Sequence, residues 1–193
     1  MSLSVSDAIL RRRATRKYSD TEVSDEVLDR IIELALEAPS AFNLQLRDVV
    51  VVRDAAVKQA LFDASNQRQF IDAPVVLIVV ARAEALPTDA EEILSPERLE
   101  MVKGWQFAKS PAQLREAALK DAMLVAGFAL LAAQGEGLAT SPTTGWDEEK
   151  VKAAVGLSGR DDRAIAMVIA LGYPGEEPAH PGRQSNRRVD NSF

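Results

Sequence analysis

The sequence predicts an α+β fold in which helices flank a mixed central β-sheet. Two apolar runs, residues 75–81 and 164–171, are typical of strands buried on both faces. Residues 111–134 repeat apolar side chains at helical spacing and predict one long, buried helix. Helices and strands do not alternate regularly, and no GxGxxG follows a strand, so a doubly wound parallel sheet is not expected. A length of 193 residues favours a single domain over 1–193.

Capping residues and apolar periodicity place the other elements along the chain. The predicted helices are 6–13 with Ser6 as N-cap, 25–38 with Ser24, 55–64 with Asp54, 111–134 starting at Pro111, and 148–156 with Asp147. The predicted strands are 48–53, 75–81, 138–140 and 164–171. Residues 83–110 lack a strong pattern and are predicted to form a helical or mobile excursion over the core, a candidate lid.

The composition excludes several kinds of catalytic site. The chain has no cysteine, and therefore no disulfide, thiolate metal site or Cys nucleophile. Its one histidine, His180, lies between Pro178 and Pro181, so neither a Ser–His triad nor any metal site is expected. The motifs GxSxG, HExxH and GxxxxGK[ST] are also absent. The remaining polar loops hold Arg, Asn, Gln, Ser and Thr, which suits a phosphorylated cofactor that brings its own chemistry.

Charge is distributed unevenly in a chain of net charge −6. Residues 1–20 hold five Lys and Arg against two Asp, and the tail 183–193 holds three Arg against one Asp. The two basic ends either build one anion site together or are separate solvated segments. Net acidity argues against a nucleic-acid partner. With no signal peptide and no apolar run near 20 residues, we expect a cytoplasmic protein with no membrane partner.

Five segments together resemble the nitroreductase family of FMN-dependent oxidoreductases. They are RRRATRKY at 11–18, APSAFNLQ at 38–45, SNQRQFIDAPVVLIV at 65–79, LATSPTTGW at 138–146 and AMVIALGYPGEEP at 166–178. Their order and spacing match the family over nearly the whole chain. The resemblance implies the nitroreductase fold and an intertwined homodimer with two FMN sites at the interface. The long apolar helix at 111–134 independently favours a partner chain, and its alternative is the central helix of a monomer.

The resemblance also implies the chemistry. Hydride would pass from NAD(P)H to flavin N5, and electrons would then pass to a small-molecule acceptor of aromatic, quinone or nitro type in a ping-pong mechanism. No side chain would serve as a catalytic nucleophile. Two alternatives stay open: another flavin reaction of the family, such as a dehydrogenase, dehalogenase or flavin-modifying enzyme, and a non-catalytic protein that binds a phosphorylated ligand.

Cofactor-binding positions carry over by resemblance onto two basic segments. The R-x-S-x-[RK] element that lies on FMN matches Arg12, Arg13, Ala14 and Arg16. Arg12 would bind the phosphate through its planar fork, and Arg16 would lie near the pyrimidine side of the flavin. Ala14 replaces the usual Ser and removes one hydroxyl contact. In the tail, the matching basic residues are Arg187 and Arg188, with Arg183 or Asn186 as substitutes.

Three further segments carry the remaining positions. The loop that reaches the flavin from the other subunit matches Pro39, Ser40, Ala41 and Asn43, but Leu46 and Arg47 stand where Pro-Trp is common. Asn66 and Gln69 would contact the ribityl chain and the flavin edge. Many relatives carry a cation at the position of Gln69. Asn66 is alternatively a helix C-cap. The loop beside flavin N5 matches Pro142, Thr143, Thr144 and Gly145. The backbone of Thr144 and Gly145 would lie nearest N5.

Overall fold

A sheet of four antiparallel strands forms the centre of the protein, described over residues 3–191 by a computed structural model. The strands are β1 (Arg47–Val52), β2 (Val75–Arg82), β3 (Ala139–Thr143) and β4 (Arg163–Gly172). They lie in the order β1-β2-β4-β3. Both predicted buried runs are therefore central strands, and nearly all of their residues are buried.

Eight α-helices surround the sheet in the described part of the chain. They are α1 (Val5–Arg11), α2 (Asp25–Leu36), α3 (Ala55–Ser65), α4 (Gln69–Asp72), α5 (Ala90–Ile93), α6 (Pro96–Gln106), α7 (Pro111–Gly135) and α8 (Glu148–Ala154). Short 3₁₀ turns cover Ala41–Asn43 and Ser185–Arg187. Between residues 3 and 191, no helix has both the length and the apolar character needed to cross a membrane.

The α+β prediction is confirmed, and the two faces of the sheet carry different helices. One face packs on α2 and on the predicted long helix α7, whose buried positions include Ala122, Ala126 and Ala129. Small side chains allow this helix to approach the strands closely. The other face packs on α3, α4 and α8. Strand pairings among β1–β4 are all antiparallel, and the parallel component is an isolated bridge between Ala14 and Thr140.

Among the boundaries that differ from the sequence prediction, three belong to α1 and β3. The N-cap of helix α1 lies two residues earlier, because Ser4 rather than Ser6 accepts a hydrogen bond from the backbone N–H of Asp7. It ends at Arg11, so Arg12 and Arg13 lie in the extended segment that follows. Strand β3 continues past Thr140 through Pro142 to Thr143. Proline has no backbone N–H to donate, and it is tolerated there because β3 is an edge strand of the sheet.

The excursion at 83–110 is helical, which is one of the two forms, helical or mobile, that the sequence predicts. Helices α5 and α6 bury Leu94, Leu99 and Val102 against Leu44 and Leu46, which precede β1. The excursion therefore has a small core of its own, beside the loop at 39–46. Its role as a lid stays a prediction.

Candidate functional site

The segment from Arg12 to Tyr18 is held between β3 and the loop that follows β4. The backbone N–H of Thr15 donates to Thr140 O on β3 at 3.0 Å. On the other side, the N–H of Gly175 donates to Lys17 O at 2.9 Å. These bonds fix the backbone of the segment on which the predicted cofactor-binding arginines stand.

Glu176 completes this attachment from the same loop. Its Oε1 accepts the backbone N–H groups of Arg16 at 2.8 Å and Lys17 at 3.1 Å. These bonds to the Arg16 and Lys17 N–H groups, with the charges of both side chains, hold the pKa of Glu176 below its ordinary value. No sequence signal marks Glu176 for this task, because the contact joins residues 160 positions apart.

Gly175 allows the two segments to lie this close. A Cβ at this position would stand 2.8 Å from the carbonyl carbon of Tyr18 and 2.9 Å from its oxygen. Both are backbone atoms, which cannot rotate away as a side chain would. The absence of a side chain at 175 is therefore a requirement of the attachment.

Substituting Gly175 by Ala should separate the two segments. We expect a loss of roughly 1–3 kcal/mol in the free energy of unfolding, the usual cost of overpacking. Urea unfolding measures it. Gly104→Ala is the matched control, because a Cβ at 104 on α6 meets nothing within 4 Å and should leave stability equal or higher. Equal stability of the two variants would show that the segments are free to move apart.

Arg12 is a half-buried cation without a counter-charge in the described part of the chain. Its Nη1 is buried and has no hydrogen-bond partner within residues 3–191. Burial lowers the pKa of the Arg12 guanidinium, and the positive charges of Arg183 and Arg13 lower it further. A buried donor surrounded by other cations costs free energy unless an anion binds it. Thr140 Oγ1, on the strand bridged to Ala14, is a second buried polar atom with no partner in the described chain.

Arg183 is the tail residue whose positive charge lowers the pKa of Arg12. The resemblance names it as a substitute for Arg187 and Arg188. Arg183 and Arg187 line one cleft in the tail, whereas Arg188 pairs with Asp190 at 2.8 Å. This electrostatic effect is consistent with one anion site built from both basic ends, and that interpretation stays a prediction.

Arg13 and Arg16 are placed differently from Arg12. The Arg13 guanidinium donates to Leu10 O at 2.7 Å and Arg12 O at 2.8 Å, at the C-terminal end of α1, where a cation is favourable. Arg16 is exposed, and its side chain has no ion pair within residues 3–191. Arg16 is thus available to a ligand, while Arg13 is engaged within the chain.

The predicted flavin-edge residues meet at the end of β3. Gln69 is only 4% exposed, and its Nε2 donates to Thr143 Oγ1 at 3.3 Å. Asn66 caps α3 in a left-handed conformation with φ 55°, as its alternative interpretation predicted, and its side chain is exposed. The 142–146 loop is joined to α3 by the bond from Asp147 N to Ala64 O at 2.8 Å. Thr144 and Gly145 lie exposed at its tip.

The loop at 39–43 lies at the opposite corner of the sheet. It leads into β1, which is three strand spacings from β3, or about 14 Å. Across the sheet, Thr143 on β3 lies level with Val50 on β1, because the pairs Thr143–Val168, Val168–Ile78 and Ile78–Val50 are in register. Arg47 comes three residues before Val50 on β1 and is therefore also displaced by about 10 Å along the strand direction. One chain therefore brings Arg12, Gln69 and Thr143 to the same side of the sheet, but leaves Asn43 away from them.

An apolar groove runs between α1, α2 and α7. Val5, Leu34 and Phe128 line it and are 72%, 51% and 40% exposed. Such clustered apolar exposure is typical of an interface with another protein.

The chain is similar to known proteins of one family. The nitroreductase family model matches residues 9–173. A Thermus thermophilus protein named NADH dehydrogenase is 39% identical over 189 residues, covering 92% of this chain and 91% of that one. A nitroreductase family protein from Streptococcus pneumoniae superposes with a TM-score of 0.82 at 26% identity, covering 94% of this chain and 96% of that one. A protein of Exiguobacterium sibiricum described as a nitroreductase, crystallised in complex with FMN, has the same fold, with a TM-score of 0.82, 22% identity and coverage of 95% and 94%.

Proposed function

The chain belongs to the nitroreductase family, and on that basis we propose that it is an FMN-dependent NAD(P)H oxidoreductase. FMN, when bound, would supply the redox chemistry between NAD(P)H and a second substrate. The relative named NADH dehydrogenase and the family protein crystallised with FMN support this proposal. The protein's own contribution would be to bind and orient the cofactor.

The observation that carries the proposal is the unpaired, half-buried guanidinium of Arg12. A phosphate group would give its free Nη1 an acceptor and would offset the charges of Arg183 and Arg13. Because Arg183 and Arg13 add their positive charges to that of Arg12, a doubly charged phosphate fits better than a carboxylate. The donor set thus fits the phosphate of FMN.

The other residues would orient the flavin and tune its charge. Arg16 would stabilise negative charge at the pyrimidine side, and the exposed backbone of Thr144 and Gly145 would offer N–H donors at the reactive edge. Gln69, already held by Thr143, provides a neutral side chain where many relatives carry a cation. With Arg16 as the main positive charge at that edge, we expect a flavin potential below that of relatives with the cation.

We further propose a homodimer in which each subunit completes the other's site. Two observations support it: the loop at 39–43 lies away from the chain's own Arg12 and Thr143, and the groove of α1, α2 and α7 leaves apolar side chains exposed. A second copy covering the groove would bury that surface. The same copy would bring Pro39, Ser40, Ala41 and Asn43 to the neighbouring cofactor.

The substrate assignment follows from the same resemblance. We propose a small acceptor of aromatic, quinone or nitro type, reduced in alternation with NAD(P)H oxidation at one site, by a ping-pong mechanism. We propose in the same way a cytoplasmic location, with no nucleic-acid or membrane partner.

An anaerobic visible spectrum of the purified protein tests the function directly. Flavin absorption bands should be present, and they should bleach on addition of NADH or NADPH and return with a quinone or nitroaromatic compound. Bands that no nicotinamide bleaches would favour a different flavin reaction. A colourless protein that fails to take up added FMN would refute the flavoenzyme and leave a phosphate-binding protein as the better account.

A further inference from the structure

A buried arginine anchors the loop that is proposed to reach the second subunit. Arg47, at the start of β1, is 6% exposed. It stands where Trp is common in the pattern that the sequence resembles. Arginine is rarely buried without hydrogen bonds to satisfy its donors, so its partners indicate why this chain tolerates it.

All partners of the Arg47 guanidinium lie just before and within the loop at 39–43. Nη1 donates to Ser40 Oγ at 3.0 Å, and Nη2 donates to Leu36 O and Ala38 O, both at 2.7 Å. Burial lowers the pKa of Arg47, and the charge of Asp121 on α7 opposes this. Within residues 3–191 no carboxylate oxygen comes within ion-pair distance of the Arg47 side chain. Its hydrogen bonds therefore go to neutral acceptors that shape the loop.

Two further contacts complete an assembly that we call the loop latch, formed by Arg47, Ser40 and Asp121. Ser40 Oγ also accepts the backbone N–H of Gln45 at 3.0 Å. Asp121 Oδ2 accepts the backbone N–H of Ala41 at 3.0 Å. The loop is thus attached at both of its ends and to the long helix α7.

The backbone of the loop needs such attachment. Phe42, Asn43 and Gln45 have φ angles of 55°, 58° and 53°, in the left-handed region that residues other than glycine rarely adopt. Conformations of this kind persist where the surrounding contacts over-determine them, and they concentrate at functional sites. The latch supplies those contacts, and the exposed Asn43 side chain is left free at the surface.

We infer that Arg47 is a positioning residue: through Ser40 and the carbonyl groups that end α2, it holds residues 39–43 in the shape that completes the cofactor site of the second subunit. This inference rests on the proposed function. A solely structural role, in which Arg47 caps the C-terminal end of α2, would make the same hydrogen bonds but would have no effect on the cofactor.

The test compares Arg47→Met with Arg163→Met. Arg163 is an apt control because it is also a poorly exposed arginine at this end of the sheet, where its neighbour Ala164 aligns with Ala81, the partner of Arg47. It bonds to Asp162 and Glu84 and does not touch the loop. For both variants and the unaltered dimer, FMN affinity is measured by quenching of FMN fluorescence in titrations of apoprotein, well below the unfolding temperature. Visible circular dichroism of the bound flavin reports how rigidly it is held.

We expect Arg47→Met to weaken FMN binding about tenfold and to reduce the flavin dichroism, because displacement of a positioning element by about 1 Å has effects of this size or more. Arg163→Met should keep both values even if its melting temperature falls equally. Arg47→Lys keeps the charge but not the fork, and should weaken binding less than Arg47→Met while remaining foldable.

The outcomes separate the two proposals. If the unaltered protein binds no FMN, the proposed function fails. If it binds FMN but Arg47→Met and Arg163→Met have equal affinity and dichroism, Arg47 is only structural and the inference is overturned. Should Arg47→Met not fold, Arg47→Lys decides in its place: affinity and dichroism equal to those of Arg163→Met overturn the inference, and reduced values support it.

Discussion

Replacing Arg12 by Ala should release FMN from the purified protein. The variant removes the half-buried guanidinium that is proposed to bind the phosphate. Loss of one partner from a buried charge pair costs about 3 kcal/mol, which corresponds to a roughly 150-fold larger dissociation constant for FMN. We expect the variant to purify without colour and to bind FMN weakly in fluorescence titrations.

Arg11→Ala is the matched control for this prediction. It removes the same charge from the neighbouring position, but Arg11 is exposed on α1 and makes only a 3.4 Å contact with Asp7. Its FMN affinity should stay within about twofold of the unaltered protein, since isolated surface charges contribute little. Stoichiometric flavin retained by Arg12→Ala would refute the phosphate role of Arg12.

Mixed dimers should show that each cofactor site draws on both subunits. The two changes are Arg12→Ala, which acts at the subunit's own site, and Asn43→Gly, which alters the loop. Glycine removes the amide side chain yet accepts the φ of 58° at this position without strain. Losing the hydrogen bonds of one amide should weaken FMN binding about tenfold.

The arrangement of the two changes decides the result. With the changes on different subunits, one site is doubly altered and the other is intact, so half of the subunits should bind FMN with unaltered affinity. With both changes on one subunit, each site carries one alteration and none should bind normally. Differently tagged subunits and an FMN titration measure this. The reverse pattern would mean that the loop serves its own subunit, and equal patterns would mean that Asn43 does not contact the cofactor.

Local signals account for the parts of the fold that could be predicted. Ser24, Asp54 and Asp147 each cap the helix that the sequence assigned to them, because a cap acts within three residues of its own position. Ser4 and Ser6 are both of a residue type that caps helices, and only the observed bond from Asp7 distinguishes them. Pro142 is typical of a strand end, and its place on an edge strand depends on sheet order, which no local pattern contains.

The residues of the candidate site also divide into those that the sequence indicated and those that it did not. The resemblance to the nitroreductase family implied Arg12, Arg16 and the 142–145 loop as cofactor-binding positions, and these roles stay predictions. Glu176 and Arg47 were not indicated, because they act on backbone atoms brought near only by the tertiary fold. A carboxylate or guanidinium that shapes a loop from within has the same appearance in a sequence as one on the surface.

The strand order also has a consequence for how the protein is made. The last strand to leave the ribosome, β4, lies between β2 and β3 and pairs with both. Until residue 172 has emerged, β3 has no strand beside it, and the segment of Arg12 has no completed edge to join. Folding to the native sheet, and with it capture of the cofactor, should therefore be delayed until β4 has been synthesised. Nascent chains that stop before β4 should expose apolar strands and depend on chaperones, although β1, β2 and β3 are already present.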